Sequence, residues 1–346
     1  MKIPTLQEIT SLFEHEFGYG RAERVEVVTT GYLSTNWIIH TPKNIFFLKK
    51  YRSKFSSKEI LAIHEVVRLF EAEGIPTINP LPTCNEQTVL EYNNSLYSLF
   101  PYISGKSIQR DQLETAHLAA LGTMLALVHE KGALLPNPRD LAIFNGWNRT
   151  LFLEHVNEIK KIQSAKPELD EFDRAVHEAI EYKLSHIFGD LRLPEDFFFS
   201  EYIVMHGDFH ESNVFFDDNY QISHVFDWEK TAYGPRAFEL VRSLYLICIT
   251  ADHISAEQAF VRAKIFFDAY QKRLPITEEE FRTAVEFYYV DQFYSIWIER
   301  QHYQEKISVA DNLLKESVSR IQFLEQYREE FVRRMFNDKT LFNFTT

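Results

Sequence analysis

The chain has few cysteines and no long apolar run. Its two cysteines, Cys84 and Cys248, lie far apart and lack the spacing of metal ligands, which predicts a reduced, cytoplasmic protein. The longest apolar run, from Leu118 to Val128, has about 11 residues, whereas a bilayer-spanning helix needs ~20. Acidic residues interrupt the N-terminal stretch, so no secretory signal is predicted. We therefore expect no membrane partner.

Positive charge is also scarce. The 346 residues include 37 Lys and Arg against 50 Asp and Glu, which gives a net charge of -13. Such a chain repels phosphate backbones, so we expect no nucleic-acid partner. A cationic substrate, or a metal ion together with an anionic substrate, suits this charge better. Hydrophobic residues make up 45% and charged residues 25%, as in an ordinary globular protein of two or three domains or lobes.

The first hundred residues predict a small sheet with one helix. Short apolar runs at 25–28, 36–40 and 45–51 predict strands, and helical periodicity covers 57–72. Two more strands follow, joined by a turn at Asn93 and Asn94. This order predicts a mostly antiparallel sheet with one helix laid across it.

Helical periodicity dominates after Gly105. A strand and a hairpin at 200–227 interrupt it. We expect an N-terminal lobe over 1–103, a helical lobe over 104–346, and a ligand site in the cleft between them. The predicted helices lie near 111–131, 148–165, 168–188, 238–250, 255–272, 277–300 and 309–336.

The stretch "VMHGDFHESNVFFDD" carries the chemistry. Asp208 is followed by Asn213 five positions later, and the predicted hairpin returns Asp227 to the same place after fourteen more. An Asp and an Asn carbonyl are hard oxygen ligands that suit Mg²⁺ when substrate phosphates complete the shell. A separate Asp can orient a hydroxyl and accept its proton. These residue types at this spacing favour phosphoryl transfer.

A cation from the smaller lobe should meet the phosphates. Lys49 lies on the third predicted strand, and Glu65 follows 16 residues later on the helix, where it could pair with that lysine. Lys50 points to the other face of the strand. Alternation alone does not choose between the two lysines.

The motif "HGDFHESN", followed fourteen residues later by "DW", resembles the aminoglycoside phosphotransferase and choline kinase superfamily. These are small-molecule kinases with a protein-kinase-like fold. The resemblance implies a bilobal α+β fold, with a small five-stranded antiparallel N-lobe carrying one helix and a larger, mainly helical C-lobe. It also implies ATP and Mg²⁺ as cofactors, and a small hydroxylated metabolite as the acceptor.

The same resemblance assigns roles to the motif residues. Asp208 becomes the catalytic base or the group that orients the hydroxyl, and Asn213 and Asp227 become the Mg²⁺ ligands. Lys49 contacts the ATP phosphates with Glu65 as its partner.

Further roles follow for residues outside the motif. Ser34 lies in the loop that covers the phosphates. Ser98, Phe100 and Tyr102 belong to the hinge that reads adenine, mainly through backbone groups. Glu239 stands where the family usually has Asp, and the resemblance implies that it braces the catalytic loop.

Several departures argue against a phosphorylation-switched protein kinase. The phosphate loop has only Gly31 and no GxGxxG pattern, and no "APE" follows. Gly207 stands where most protein kinases have Arg, and Trp228 with Glu229 replaces Phe-Gly after Asp227. A non-catalytic nucleotide-binding scaffold on the same fold is the alternative. Consumption of ATP in the presence of acceptors would distinguish the two.

Two local features have alternative interpretations. His206 and His210 have the four-residue spacing of zinc ligands, but without an evident third ligand His206 suits a hydrogen-bonding role in the loop. The helix at 285–303 is either a pocket for a cationic substrate or a core face with solvated acids outside, and the core is favoured. The pocket would use Tyr289, Asp291, Trp297 or Glu299, and the core Phe287, Val290, Tyr294 and Ile298.

The acceptor itself cannot be read from the sequence. Members of the family that this chain resembles phosphorylate homoserine, choline or ethanolamine, aminoglycosides and amino sugars. The acidic C-terminal lobe favours an amine-bearing alcohol. The sequence does not give the oligomeric state or the choice between ATP and GTP.

Overall fold

The structure, a computed structural model, divides the chain into two compact units. The first contains 1–109, 127–143 and 203–233, and the second contains 110–126, 144–202 and 234–346. The lobe boundary predicted at 103/104 stays a prediction, because compactness does not tell which segments bind nucleotide or acceptor. The residues that the structure describes are 4–28, 35–136, 139–189, 191, 197–249 and 254–337.

A five-stranded antiparallel sheet, in the order β1-β2-β3-β5-β4, forms the base of the first unit. This confirms the predicted small sheet. Asn93 and Asn94 both have positive φ, 48° and 55°, as the tight hairpin between β4 and β5 requires. The strands are β1 Arg24–Val28, β2 Asn36–His40, β3 Ile45–Lys50, β4 Leu90–Tyr92 and β5 Ser95–Pro101.

One face of this sheet is covered by α1 (Leu6–Leu12) and the π-helical turn Phe13–Phe17 that continues it. Phe46 and Leu48 of β3 point into this apolar core and are almost completely buried. Lys49 therefore points to the other face, since side chains alternate along a strand. Lys49 and Lys50 therefore lie on different faces of β3, and the role of Lys49 at the nucleotide phosphates stays a prediction.

The predicted motif lies on a series of short elements in 202–235. Val214 pairs with Val225 in the antiparallel hairpin β7–β8, and β6 pairs with β9. The hairpin predicted from the sequence is therefore present. The elements are β6 Tyr202–Met205, the 3₁₀ turn Glu211–Asn213, β7 Val214–Phe216, β8 Ile222–Val225, the 3₁₀ turn Trp228–Lys230 and β9 Ala232–Pro235.

The helices agree with the predicted periodicities except at one position. The helix predicted over 277–300 breaks after Tyr294. Lys183 is buried there, donates to the carbonyl of Ser295 at 2.5 Å, and lies 3.3 Å from Glu299. This ammonium satisfies a carbonyl that the break frees. The helices are α2 Ser57–Ala72, α3 Thr115–Gly132, α4 Arg149–Ser164, α5 Glu171–Phe188, α6 Arg236–Cys248, α7 Ala256–Arg273, α8 Glu278–Tyr294, α9 Trp297–Arg300 and α10 Leu314–Asn337.

Among the helices in the described part of the chain, none is long and apolar enough to cross a bilayer.

Candidate active site

His206 organises the loop that follows β6. It is completely buried, and its Nδ1 accepts a hydrogen bond from the backbone N–H of Asp208 at 3.2 Å. Its Nε2 lies 3.0 Å from the carbonyl of Phe226, so a neutral ring carries its proton on Nε2 and donates there. Both ring nitrogens are therefore engaged within the loop, as the hydrogen-bonding interpretation predicts.

Trp228 packs against the other side of this histidine. Its ring centroid lies 4.4 Å from that of His206 and 4.8 Å from that of Phe70 on α2. Its indole N–H donates to the carbonyl of Val225 at 3.2 Å. The tryptophan therefore fills the space between α2 and the loop and has its polar atom satisfied.

Gly207 allows the chain to pass another backbone segment closely. Its φ is +82°, and a Cβ at this position would lie 1.8 Å from the carbonyl oxygen of Lys230. Both the left-handed conformation and the lack of space require glycine. An arginine at this position is therefore incompatible with this loop.

Asn213 and Asp227 are held close to Asp208 by backbone contacts. The Nδ2 of Asn213 donates to the carbonyl of Asp208 at 2.9 Å, which orients the amide and leaves Oδ1 as its acceptor atom. The N–H of Phe226 donates to the carbonyl of Asn213 at 3.0 Å. Asp227 follows in a left-handed conformation, with φ 62° and ψ 55°. The structure therefore brings the three predicted residues together.

Asp227 makes an ion pair with Lys49, at 2.7 Å between Oδ1 and Nζ. Partial loss of water around the Asp227 carboxyl raises its pKa, but the charge and hydrogen bond of Lys49 outweigh this and hold the pKa below its ordinary value. The charge of Asp208 acts in the opposite direction. Two carboxylates and one ammonium thus interact across the site.

Lys230 was not among the predicted site residues. Its Nζ lies 2.9 Å from Oδ2 of Asp208, and Thr231 fixes the neighbouring backbone by donating its hydroxyl to the carbonyl of Met205 at 2.5 Å. The sequence placed Lys230 only three residues after Asp227. Its contact with Asp208 depends on the close approach at Gly207, which sequence spacing does not reveal.

Lys49 has a second partner in Glu229, at 2.8 Å between Nζ and Oε1. Burial lowers the pKa of Lys49, but the charges of Asp227 and Glu229 outweigh burial and raise it above its ordinary value. The predicted Lys49–Glu65 pair is not formed. Glu65 is exposed on α2, so the structure does not bring it to the lysine.

His64, one residue before Glu65, takes the inward position on α2. Successive residues of a helix point about 100° apart, so Glu65, one position later, cannot point inward as predicted. His64 is almost completely buried, with Nε2 at 2.9 Å from the hydroxyl of Tyr51 and Nδ1 at 2.9 Å from that of Thr88. Burial, with a smaller contribution from Lys49, lowers the pKa of His64 to about 4. The helix therefore presents an uncharged imidazole to β3.

This histidine predicts a pH dependence of stability. Because the pKa of His64 in the folded state, about 4, lies below the unfolded value of about 6.5, the unfolded chain binds this proton first. Its contribution to the free energy of unfolding should fall by about 3 kcal/mol as the pH drops from about 6.5 to 4. Urea unfolding of His64→Gln should show a flatter pH dependence in this window. His177→Gln, at an exposed position, should retain the wild-type slope, and equal slopes for all three proteins would contradict the prediction.

The predicted nucleotide-binding residues differ in accessibility. The Ser98 side chain is completely buried and donates to the carbonyl of Thr88 at 2.7 Å, so its hydroxyl is already engaged within the sheet. Phe100 is half-buried, and Tyr102 is exposed with its N–H donating to the carbonyl of Ile45. Ser34 lies outside the described residues. The adenine-reading role of this segment stays a prediction.

The donor atoms fit Mg²⁺. Within the described ranges, no group of three or more His, Cys, Asp or Glu side chains could hold a metal ion by itself. Asn213 and Asp227 instead offer one amide oxygen and one carboxylate, and Asp227 is 43% exposed. Mg²⁺ is commonly bound by one or two protein oxygens plus substrate phosphates and water.

The remaining predicted positions lie in the second unit. Glu239 is completely buried in α6, and its bracing role stays a prediction. The core interpretation of 285–303 agrees with the burial of its four core residues, Phe287, Val290, Tyr294 and Ile298. Glu299 corrects that interpretation in one respect, because this acid is buried against Lys183 and not solvated.

Comparison with known proteins gives a family match over most of the chain. The model described as "Phosphotransferase enzyme family" matches residues 24–276. Homoserine kinase of Methylobacillus flagellatus is 23% identical over 265 residues, which cover 76% of this chain and 75% of that protein.

Solved structures of small-molecule kinases share the fold. An amicoumacin kinase in complex with AMP-PNP, Ca²⁺ and Ami aligns with a TM-score of 0.64 at 15% identity, covering 96% of this chain and 94% of that one. A microcompartment-associated aminopropanol kinase aligns with a TM-score of 0.63 at 13% identity, covering 96% of this chain and all of the other (100%). The predicted fold class is confirmed.

Proposed function

The chain belongs to the phosphotransferase enzyme family, and from that membership we propose that it transfers the γ-phosphate of ATP to a hydroxyl of a small amine-bearing alcohol. It is a small-molecule kinase. The observation that carries the proposed transfer to a hydroxyl is the loop around Asp208. Its backbone is fixed by His206 and Gly207, while its carboxylate stays partly accessible, 16% exposed. A base that is fixed but reachable suits proton transfer from a bound hydroxyl.

In the proposed reaction, Asp208 orients the acceptor hydroxyl and takes its proton. The acceptor oxygen forms a bond to the γ-phosphorus, and the bond from that phosphorus to the β,γ-bridging oxygen breaks. ADP leaves with the electron pair of the broken bond. Positioning and charge neutralisation supply most of the catalysis in reactions of this type.

Cationic side chains would neutralise the phosphates. Lys49 lies at ion-pair distance from Asp227 and Glu229, and its ammonium has three N–H donors, so it could also donate to a phosphate oxygen. Lys230 lies beside Asp208 and reaches the region where the acceptor oxygen would react. Mg²⁺, held by Asn213 and Asp227, would supply further neutralisation of phosphate charge when bound.

An amine on the acceptor is the finer part of the proposal. Homoserine and aminopropanol, the acceptors named for the two kinases above, both carry an amine and a hydroxyl. The net charge of -13 also favours a cationic group over an anionic one. No described residue favours the alternative of a non-catalytic scaffold.

An acceptor screen with matched pairs tests the proposal. We expect ADP release with ATP and Mg²⁺ for at least one of homoserine, ethanolamine, choline, 1-amino-2-propanol, an amino sugar or an aminoglycoside, with a phosphate monoester detected by phosphorus NMR. The analogue without the amine, such as 4-hydroxybutyrate for homoserine or 1,2-propanediol for aminopropanol, should be poorer by about 100-fold or more in kcat/KM, because it leaves buried polar groups unpaired.

Each contrary result would remove a different part of the proposal. Equal rates for the paired acceptors would overturn the preference for an amine and leave the kinase reaction standing. ATP binding without transfer to any acceptor would support the scaffold instead.

A further inference from the structure

Lys49 lies between two carboxylates that come from the same short segment. Its Nζ is 2.7 Å from Asp227 Oδ1 and 2.8 Å from Glu229 Oε1. The Lys49 and Glu229 side chains are each 13% exposed. We propose that Glu229, and not a carboxylate of α2, is the positioning residue that holds Lys49 for the nucleotide phosphates. This inference rests on the proposed function.

Asp227 is poorly suited to hold Lys49 once the site is loaded. Its carboxylate is the more accessible of the two, and it is the proposed Mg²⁺ ligand. A divalent cation on that carboxylate repels an ammonium bound to the same group. Glu229 is then the partner that keeps the lysine in place.

Helix α2 offers Lys49 no counter-ion in this structure. Glu65 is exposed, and His64 fills the inward position with both ring nitrogens engaged. Tyr51 follows Lys49 along the chain, its ring centroid 5.7 Å from Nζ, and its hydroxyl contacts His64. The contact of α2 with the residue just after β3 is thus a tyrosine–histidine pair.

The backbone beneath Glu229 is fixed, as a positioning residue requires. Glu229 lies in the 3₁₀ turn Trp228–Lys230, which the N–H of Thr231 closes by donating to the carbonyl of Trp228 at 2.9 Å. The buried indole of Trp228 anchors the turn through its bond to Val225. The carboxylate of Glu229 therefore comes from a turn held at both ends.

The isosteric variant Glu229→Gln tests this role. We expect kcat/KM for ATP to fall by about 10- to 100-fold, as for other residues that orient a functional group, while the Mg²⁺ concentration for half-maximal rate stays unchanged. Glu229→Asp should recover part of the loss. Glu181→Gln, which removes an exposed carboxylate paired with Lys160, should match the wild type. A large rise in the Mg²⁺ requirement would identify Glu229 as a metal ligand and overturn the inference, as would a full loss in Glu65→Gln with none in Glu229→Gln.

A double-mutant cycle with Lys49→Met separates action through Lys49 from independent action. If Glu229 acts through Lys49, the double variant should bind ATP less than about threefold more weakly than Lys49→Met alone. If the factors by which the two single substitutions weaken ATP binding multiply in the double variant, the inference is overturned. The cycle is read from ATP dissociation constants measured without acceptor, so it decides the role of Glu229 even if no acceptor is phosphorylated. Near-wild-type ATP binding in Glu229→Gln, with turnover on an acceptor, would reject the inference and leave the proposed function intact.

Discussion

Asp208→Asn is expected to lower kcat by about 10³-fold or more, because the amide cannot accept the acceptor proton. The substitution keeps the shape of the side chain, and the hydrogen bonds that fix the loop use the backbone of residue 208. The ATP dissociation constant should therefore stay within about threefold of the wild type. Steady-state turnover and calorimetric ATP binding would measure the two effects, and Asp208→Ala should lose turnover in the same way.

Asp218→Asn is the matched control for this experiment. Asp218 is an exposed acid between the two strands of the β7–β8 hairpin and pairs with Lys106, so the same chemical change should leave kcat unaltered. Retained turnover in Asp208→Asn would remove the assignment of the base. Equal losses in both variants would point to a general effect of charge near the hairpin.

Gly207→Ala is expected to lower the free energy of unfolding by about 3 kcal/mol and kcat by about 100-fold. The added methyl group would need to displace the carbonyl of Lys230, and overpacking of this kind adds to the cost of a left-handed alanine. The displacement would also move Lys230 relative to Asp208, and small shifts of reacting groups can cost this much in rate.

Gly74→Ala separates these two costs. Gly74 has nearly the same φ, +86°, but a Cβ there would meet nothing within 4 Å. It should lose only about 1 kcal/mol, the cost of the left-handed conformation, and keep its activity. Urea unfolding of both variants gives the comparison. Equal losses of stability would mean that the contact with Lys230 does not constrain the loop.

The sequence predicted the features that depend on local pattern. Period-two and helical periodicities located the strands and most helices, and the turn at residues 218 and 219 returned Asp227 towards Asp208. The left-handed conformation of Asp227 and the contact of Lys230 with Asp208 were not predictable. They depend on a close backbone approach at Gly207, for which a glycine in sequence is only a weak signal.

The error at Glu65 has a different origin. A spacing of 16 residues fixes position along the chain, but one residue rotates a helical side chain by about 100°. Hydrogen bonds of His64 to Tyr51 and Thr88 place His64 on the inward face of α2 and leave Glu65 on the exposed face. The helix break after Tyr294 was also not predictable from local pattern. Lys183, which donates to the carbonyl of Ser295 at the break, lies more than a hundred positions away in sequence.

Trp228 has a consequence for how such an enzyme is controlled. In protein kinases the phenylalanine after the metal-binding Asp sets active or inactive states by where it packs. Here the indole of Trp228 packs between Phe70 and His206, and its N–H donates to the carbonyl of Val225. Moving this side chain out would therefore leave a cavity and break a hydrogen bond. Trp228 is therefore a fixed structural residue and not a switch between two conformations. The flux through the enzyme would then follow the supply of its substrates.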